Sequence, residues 1–314
     1  LRKTNWSISL KTNRKLFILE GKTQDVLPFF IEGFQLPFSI VLQYLLPKQA
    51  ITMLAGKFAT LQGGQLTTAV IGWFVKRYNV NMAEAANPDI ASYTSFNEFF
   101  TRPLKNNARP LAQAEFVCPV DGTISQFGNI EQDQIFQAKG HNYSTLALLA
   151  GQQPLAAKFQ NGHFACLYLS PKDYHRIHMP CDGTLKSMAY VPGDLFSVNP
   201  TTAANVPNLF ARNERVVCEF ESEKHGTFIM VLVGATIVGS MATVWHGVVN
   251  PPRPKNTRTW SYIDQNIQLK QGDEMGRFLL GSTVVMLFEK DALRFNTDWQ
   301  PARAIRLGEM MSAT

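Results

Sequence analysis

Apolar residues change their spacing along this chain, and the change falls near Phe116. From Pro37 to Tyr78 they recur at helical intervals: Phe38, Ile40, Val41, Leu42, Leu45 and Leu46, then Ile51, Met53, Leu54 and Phe58, then Leu66, Val70, Ile71, Trp73, Phe74 and Val75. Pro47 has no N–H to give a helix and Gly63-Gly64 weakens one, so the spacing predicts three short amphipathic helices. After Phe116 the apolar runs are short and rich in β-branched and aromatic residues. Phe164–Leu169, Phe228–Val233, Ile237–Val244 and Val284–Phe288 read as strands between Gly, Pro and Asn turns. Val249–Arg258, with its prolines and basic residues, reads as a solvated loop, and Phe278–Phe288 as an apolar, strand-like run interrupted by a glycine.

Charge sharpens the front half of this picture. Residues 1–110 hold 13 Lys/Arg and 6 Asp/Glu, a net +7, whereas the remainder holds 17 and 18 and is nearly neutral. Lys48, Lys57, Lys76 and Arg77 beside Leu, Phe and Trp suit helices lying on anionic lipid, the other reading being a helical cap on the body. No apolar run approaches the roughly 20 residues of a spanning helix, and the start lacks the charged-apolar-small order of a leader. The expectation is an α+β protein: an unassigned extension over 1–33, an amphipathic helical membrane-binding region over 34–110 and a β-rich catalytic domain over 111–314. It is expected on the cytoplasmic face of the cell membrane, held peripherally. A hydrophobic content of 45% excludes a disordered chain. Cys118, Cys166, Cys181 and Cys218 form no Cys-x-x-Cys pair, so neither zinc nor a disulfide framework is indicated and buried thiols are expected. No Gly-rich nucleotide loop occurs, and nothing points to nucleic acid.

Three motifs carry the chemistry. In Leu280-Gly281-Ser282-Thr283 a hydroxyl directly follows a glycine carbonyl. Ser282 Oγ can attack that carbonyl in an N→O acyl shift if the backbone is bent and a base takes the proton; Gly281, lacking Cβ, permits the bend. Elimination from the ester expels the Gly281 carboxylate, and hydrolysis of the dehydroalanine releases ammonia and leaves a pyruvoyl group on a new chain, residues 282–314. Cys118-Pro119-Val120-Asp121-Gly122 sets one carboxylate at a turn, where it either caps its own backbone or serves the chemistry. Tyr174-His175-Arg176-Ile177-His178-Met179-Pro180 places two of six histidines three apart in a proline-bounded segment, read as a loop or single turn. No further ligands stand at metal spacing, so no metal is expected. His178 as base, oriented by Asp121 and aimed at Ser282, would make a hydroxyl-imidazole-carboxylate relay.

These motifs together resemble the phosphatidylserine decarboxylases of the bacterial, membrane-associated type. Lys139–Ser144, Tyr190–Asn199, Asn208–Arg215, Val233–Thr236 and Glu274–Phe278 extend the likeness from about Phe38 to about Phe288. The resemblance implies a self-processing carboxy-lyase that converts phosphatidylserine to phosphatidylethanolamine and CO2 through a Schiff base on a pyruvoyl group. It implies that Ser282 becomes that group after cleavage between 281 and 282, that Asp121 and His178 drive the cleavage, and that the two chains stay together, with a homodimer also open. Either His175 or His178 is expected as the acid of turnover; His175 is expected to face the substrate, donating a proton to the decarboxylated carbon or hydrogen-bonding the phosphate, the other reading being a purely buried hydrogen bond. Two other classes stay open on the residues alone. A Ser/His/Asp hydrolase would normally show a Gly-x-Ser-x-Gly elbow, absent around Ser282. A lipid-binding module would explain the basic front and leave the Asp, His and Gly-Ser motifs without a purpose.

Overall fold

Pro47 and the Gly63-Gly64 pair break the front of the chain where the pattern places the breaks: α1 is Phe38–Leu45, α2 Lys48–Ala59 and α3 Gln65–Tyr78. The computed structural model describes residues 37–237, 240–279 and 283–313, so the extension at 1–33 and the residues Leu280, Gly281 and Ser282 lie outside the described residues. Asn79 closes α3 in the left-handed region at φ 53°, and its N–H donates to Val75 carbonyl. A fourth helix, α4 (Phe96–Phe100), starts on a reciprocal cap: Ser95 Oγ accepts from Glu98 N–H, while Glu98 Oε2 accepts from Thr94 N–H. Its Phe99 and Phe100 are buried with Ile71, Val80 and Tyr93 in a small aromatic core, with Phe74 packed at its side.

Among the described residues the β-rich body has one large antiparallel sheet, a four-stranded sheet and a two-stranded ribbon of Gln134–Ala138 and His141–Ser144, as the α+β pattern predicts. The nine-stranded sheet runs in the order Arg258–Ser261, Gly183–Val191, Arg215–Ser222, Gly226–Val233, Thr283–Phe288, His163–Tyr168, Gly122–Asn129, Ala304–Ile305, with Gln268–Leu269 added on Gly183–Val191. Thr283–Phe288 lies at its centre and every residue of it is buried. An antiparallel strand covered on both faces loses the usual alternation, which is why Val284–Phe288 reads as an unbroken apolar run. The second sheet has four strands in the order Gly247–Asn250, Met241–Thr243, Glu274–Phe278, Arg176–His178.

Three sequence expectations change here. The run Phe278–Phe288 is two strands in two sheets: Glu274–Phe278 ends in the small sheet and Thr283–Phe288 begins in the large one. The strand expected over Ile237–Val244 is confined, among the described residues, to Met241–Thr243, because Ile237 takes φ 73° in a turn. The segment around the two histidines, expected as a loop or turn, contains the strand Arg176–His178; its neighbour Glu274–Phe278 supplies the hydrogen bonds that hold it extended. All four cysteines are free and buried.

Gly122 brings the Asp121 turn against the large sheet. A Cβ there would lie 2.4 Å from Tyr168 carbonyl oxygen, far inside contact distance. Gly122→Ala should therefore force Tyr168 and Asp121 apart and lower stability by about 1–3 kcal/mol. The shift of the denaturant midpoint measures it, and an unchanged midpoint would show that the backbone yields freely there.

Candidate functional site

The sheet registers bring the Asp121 turn, the histidine segment and the residues on either side of 280–282 into one region. Thr283 pairs with Tyr168, Tyr168 with Thr123, and Thr123 with Ala304, so the start of the central strand is level with the start of the strand that follows Asp121. On the other side of residues 280–282, Leu279 N–H donates to Ser240 carbonyl at 3.0 Å and Phe278 N–H to His175 carbonyl at 3.0 Å. His175 is thus level with Phe278, whereas His178 is level with Glu274 at the far end of the same strand pair. His178 N–H donates to Pro119 carbonyl at 2.9 Å, which ties the histidine segment to the Asp121 turn.

Asp121 is buried and its carboxylate is fully engaged. Arg109 Nε donates to both oxygens at 2.9 and 3.1 Å, Arg109 Nη2 to Oδ2 at 2.6 Å, and Leu307 N–H to Oδ1 at 2.9 Å. Arg109 also reaches Glu84 Oε2 at 2.6 Å. Its own ionisation is pushed up first by the hydrogen bonds it donates to Asp121, so this guanidinium stays charged.

The two histidines share a tautomer but differ in what is left free. In each ring Nδ1 lies 2.8 Å from a carbonyl oxygen, Asp173 for His175 and Gly272 for His178, so Nδ1 carries the proton. Nε2 of His178 then accepts from the Tyr174 hydroxyl at 3.2 Å. Nε2 of His175 is buried with no hydrogen-bond partner among the described residues, and the ring centre lies 4.1 Å from that of Phe100. Burial lowers both imidazole pKa values: His178 to below its ordinary value, His175 to about 3, with the nearby Arg102 charge adding to the effect. Both rings are neutral at neutral pH. Burial also pushes Tyr174 up to about 12, so it remains a donor.

Asp121 and His178 lie near each other, yet the carboxylate does not bond the ring. Both ring nitrogens and both carboxylate oxygens have other partners. Ser282 and Gly281 lie outside the described residues, so no distance to them enters the geometry. Among the described residues no group of His, Cys, Asp and Glu could hold a metal ion. A cavity of about 340 Å³ opens beside Asp121, lined by Asp173, Tyr174, Arg102, Arg109 and Lys172 among others. Sequence reading named none of Arg102, Arg109, Asp173 and Tyr174 as a site residue. Asp173 and Tyr174 adjoin the histidine motif and could have been suspected; Arg109 has distant partners, and neither arginine carries a local signal.

A buried neutral imidazole with a free lone pair, next to the strand that enters residues 280–282, can take a proton. A second imidazole, a tyrosine and a carboxylate stand close by. The family described as phosphatidylserine decarboxylase matches residues 96–313, and one described as PSD matches 38–79. The chain is 70% identical over 275 residues to the phosphatidylserine decarboxylase proenzyme of Dechloromonas aromatica (strain RCB), covering 88% of this chain and 97% of that one. It is 68% identical over 273 residues to the proenzyme of the same name from Azoarcus sp. (strain BH72), covering 87% and 94%. With that from Methylobacillus flagellatus (strain ATCC 51484 / DSM 6875 / VKM B-1610 / KT), identity is 68% over 277 residues, covering 88% and 99%.

The depressed His175 pKa has a consequence for folding. The unfolded chain takes up a proton on this ring below its ordinary pKa of 6.5, while the folded chain resists protonation down to about 3. Its contribution to stability is therefore complete above pH 6.5 and is lost as pH falls toward 3. In a Ser282→Ala background, which is expected to keep one chain, His175→Gln should reduce the slope of unfolding free energy between pH 4 and 6 by about 1.4 kcal/mol per pH unit. Equal slopes in denaturant titrations would place the ring in contact with water.

Proposed function

The chain belongs to the phosphatidylserine decarboxylase family, and from that premise we propose that it makes its own catalytic carbonyl, a pyruvoyl group, by cutting itself between Gly281 and Ser282. The observation that carries this reading is a pair of buried atoms near those residues: among the described residues, Nε2 of His175 and Oγ1 of Thr283 have no hydrogen-bond partner. Buried polar atoms are ordinarily paired, so two on either side of one short segment suit a site whose remaining groups come from residues 280–282 and the substrate. The pyruvoyl carbonyl supplies an electrophile for the amine of phosphatidylserine and a sink for the electron pair released when CO2 departs.

The chain's own residues position and move protons. His178 is the base for self-cleavage, and the Asp121 charge favours the imidazolium that forms. Since Tyr174 occupies the lone pair of His178 Nε2, proton uptake from Ser282 requires that hydrogen bond to be exchanged. Asp121 likewise acts through its field, or by trading its Arg109 contact for the ring. His175 is the proton donor in turnover. Being neutral, it first collects a proton at Nε2 and then delivers it. One observation favours a second assignment: the free lone pair belongs to His175, which is level with Phe278, so His175 could take the Ser282 proton itself.

Intact mass and gel analysis beside a CO2-release assay test both. The wild type should be two chains, 1–281 and 282–314, inactivated by borohydride and indifferent to chelators. Ser282→Ala, His178→Ala and Asp121→Asn should stay uncut. His175→Ala should cut but turn over about 10²- to 10⁴-fold more slowly. An uncut His175→Ala would transfer the first proton step to His175, and an uncut yet active wild type would end the pyruvoyl reading.

Membrane attachment is part of the proposal. Among the described residues no helix is long and apolar enough to cross a bilayer. The helices nevertheless turn large apolar side chains outward: Leu45, Leu54, Phe58, Leu66 and Trp73 are each at least half exposed. Such a display beside Lys57, Lys76 and Arg77 fits an interfacial contact with anionic lipid. Replacing Leu45, Leu54 and Trp73 together by Ser should release the processed protein from phosphatidylglycerol-containing vesicles in a flotation assay, with the two-chain pattern retained. Undiminished flotation would place the lipid contact elsewhere.

A further inference from the structure

Three arginines whose side chains are largely covered differ in how their donors are satisfied. Arg215 gives its donors to the carbonyls of Leu148, Ala147, Ala211 and Asn213 at 2.7–3.0 Å. Arg109 is bound by Asp121 and Glu84. Arg102, 4% exposed, makes one long contact, Nη1 to Phe99 carbonyl at 3.4 Å, and its guanidinium lies 5.1 Å from the Phe99 ring centre. Among the described residues its Nε is buried with no hydrogen-bond partner and it forms no ion pair. The carboxylates of Asp121 and Glu84 act on this guanidinium from a distance without contacting it; a buried cation with no ion-pair contact is costly, and the cost falls when an anion docks against it.

Arg102 lines the cavity that also contains Asp121, Asp173 and Tyr174. Of the other cations there, Arg109 and Arg306 are committed to carboxylates, while Lys172 is exposed and forms no ion pair among the described residues. The cavity therefore holds two cations without fixed partners beside the candidate catalytic groups. A guanidinium fork matches an oxyanion in two directions at once, and an ammonium adds charge without fixed geometry.

The substrate headgroup offers two anions, a carboxylate and a phosphodiester. A cation fixed on the carboxylate would stabilise the charge that decarboxylation must disperse, holding the ground state down relative to the transition state. The phosphodiester keeps its charge throughout, so binding it anchors the substrate without penalising the reaction. We propose that Arg102, assisted by Lys172, is the phosphodiester subsite of this enzyme. The inference rests on the reading of phosphatidylserine as substrate and adds the group that selects it.

Two substrates separate the possibilities: a short-chain phosphatidylserine in detergent micelles, and an O-alkyl serine of similar chain length without phosphate. In the processed enzyme, Arg102→Gln should raise KM for the first by roughly 10- to 100-fold, the worth of a hydrogen bond to a charged group, and leave KM for the second unchanged. Arg102→Lys should recover part of the loss, and Lys172→Ala should give a smaller, salt-sensitive rise. Equal effects on both substrates would assign Arg102 to the carboxylate or to the fold, and no effect on either would remove it from the site; each overturns the proposal. Thermal shift keeps the test decisive if the Arg102 variants do not fold: the melting temperature of the wild type should rise with sn-glycero-3-phosphoserine and not with serine, and less so in Lys172→Ala. No rise in the wild type would also overturn it. A wild type that binds glycerophosphoserine but releases no CO2 from phosphatidylserine would count against the proposed function and leave the anion subsite standing.

Discussion

The fold depends on one strand being gripped from both sides. Thr283–Phe288 is paired residue for residue with Gly226–Val233 on one edge and His163–Tyr168 on the other, and its side chains are buried on both faces. Backbone pairing at a sheet centre, with both faces dry, leaves no cheap way to withdraw the strand, since each N–H and C=O would lose its partner without reaching water. The residues after 282 add a second anchor where Ala304–Ile305 pairs with Gly122 and Thr123. A break just before Thr283 would therefore leave the two pieces locked together by the same interactions that fold the intact chain. The segment 280–282 joins two sheets, so its neighbours are fixed independently on either side.

A second constraint ties the helical front to this body. Arg109 bridges Glu84, which follows α3, and Asp121, which enters the large sheet, while Asp121 also accepts from Leu307 N–H near the end of the chain. Three distant stretches meet on one ion pair: Glu84 on its guanidinium, and Leu307 on its carboxylate. Removing one partner of such a buried pair typically costs about 3–5 kcal/mol because the other charge is left without compensation. The arrangement also explains why Asp121 is held short of the His178 ring: its oxygens are already used. Arg176 makes a comparable link, from Thr101 carbonyl to Glu274.

The histidines show how burial and one hydrogen bond set chemical character. Each donates Nδ1–H to a backbone carbonyl, which fixes the ring and turns the Nε2 lone pair into the reactive feature. Desolvation then keeps that nitrogen unprotonated. What distinguishes the two rings is the Tyr174 hydroxyl, present at His178 and absent at His175.

Much of the fold was legible in the sequence because it arises from local rules. Periodicity with Pro47 and the glycine pair located α1, α2 and α3, and the unbroken apolar runs marked the strands buried on both faces. The motifs gave the residue types of the candidate site, Asp121, His175, His178 and Gly281-Ser282, because that chemistry needs those groups wherever they lie. Tertiary structure decided the rest. Arg176–His178 is a strand because Glu274–Phe278, almost a hundred residues away, offers it hydrogen bonds. Phe278–Phe288 divides between two sheets because pairing partners, and not hydrophobicity, decide where a strand ends. The burial of Arg102 with no ion-pair contact among the described residues and the capture of Asp121 by Arg109 left no trace in sequence spacing, since desolvation and ion pairing depend on which distant side chains are packed alongside.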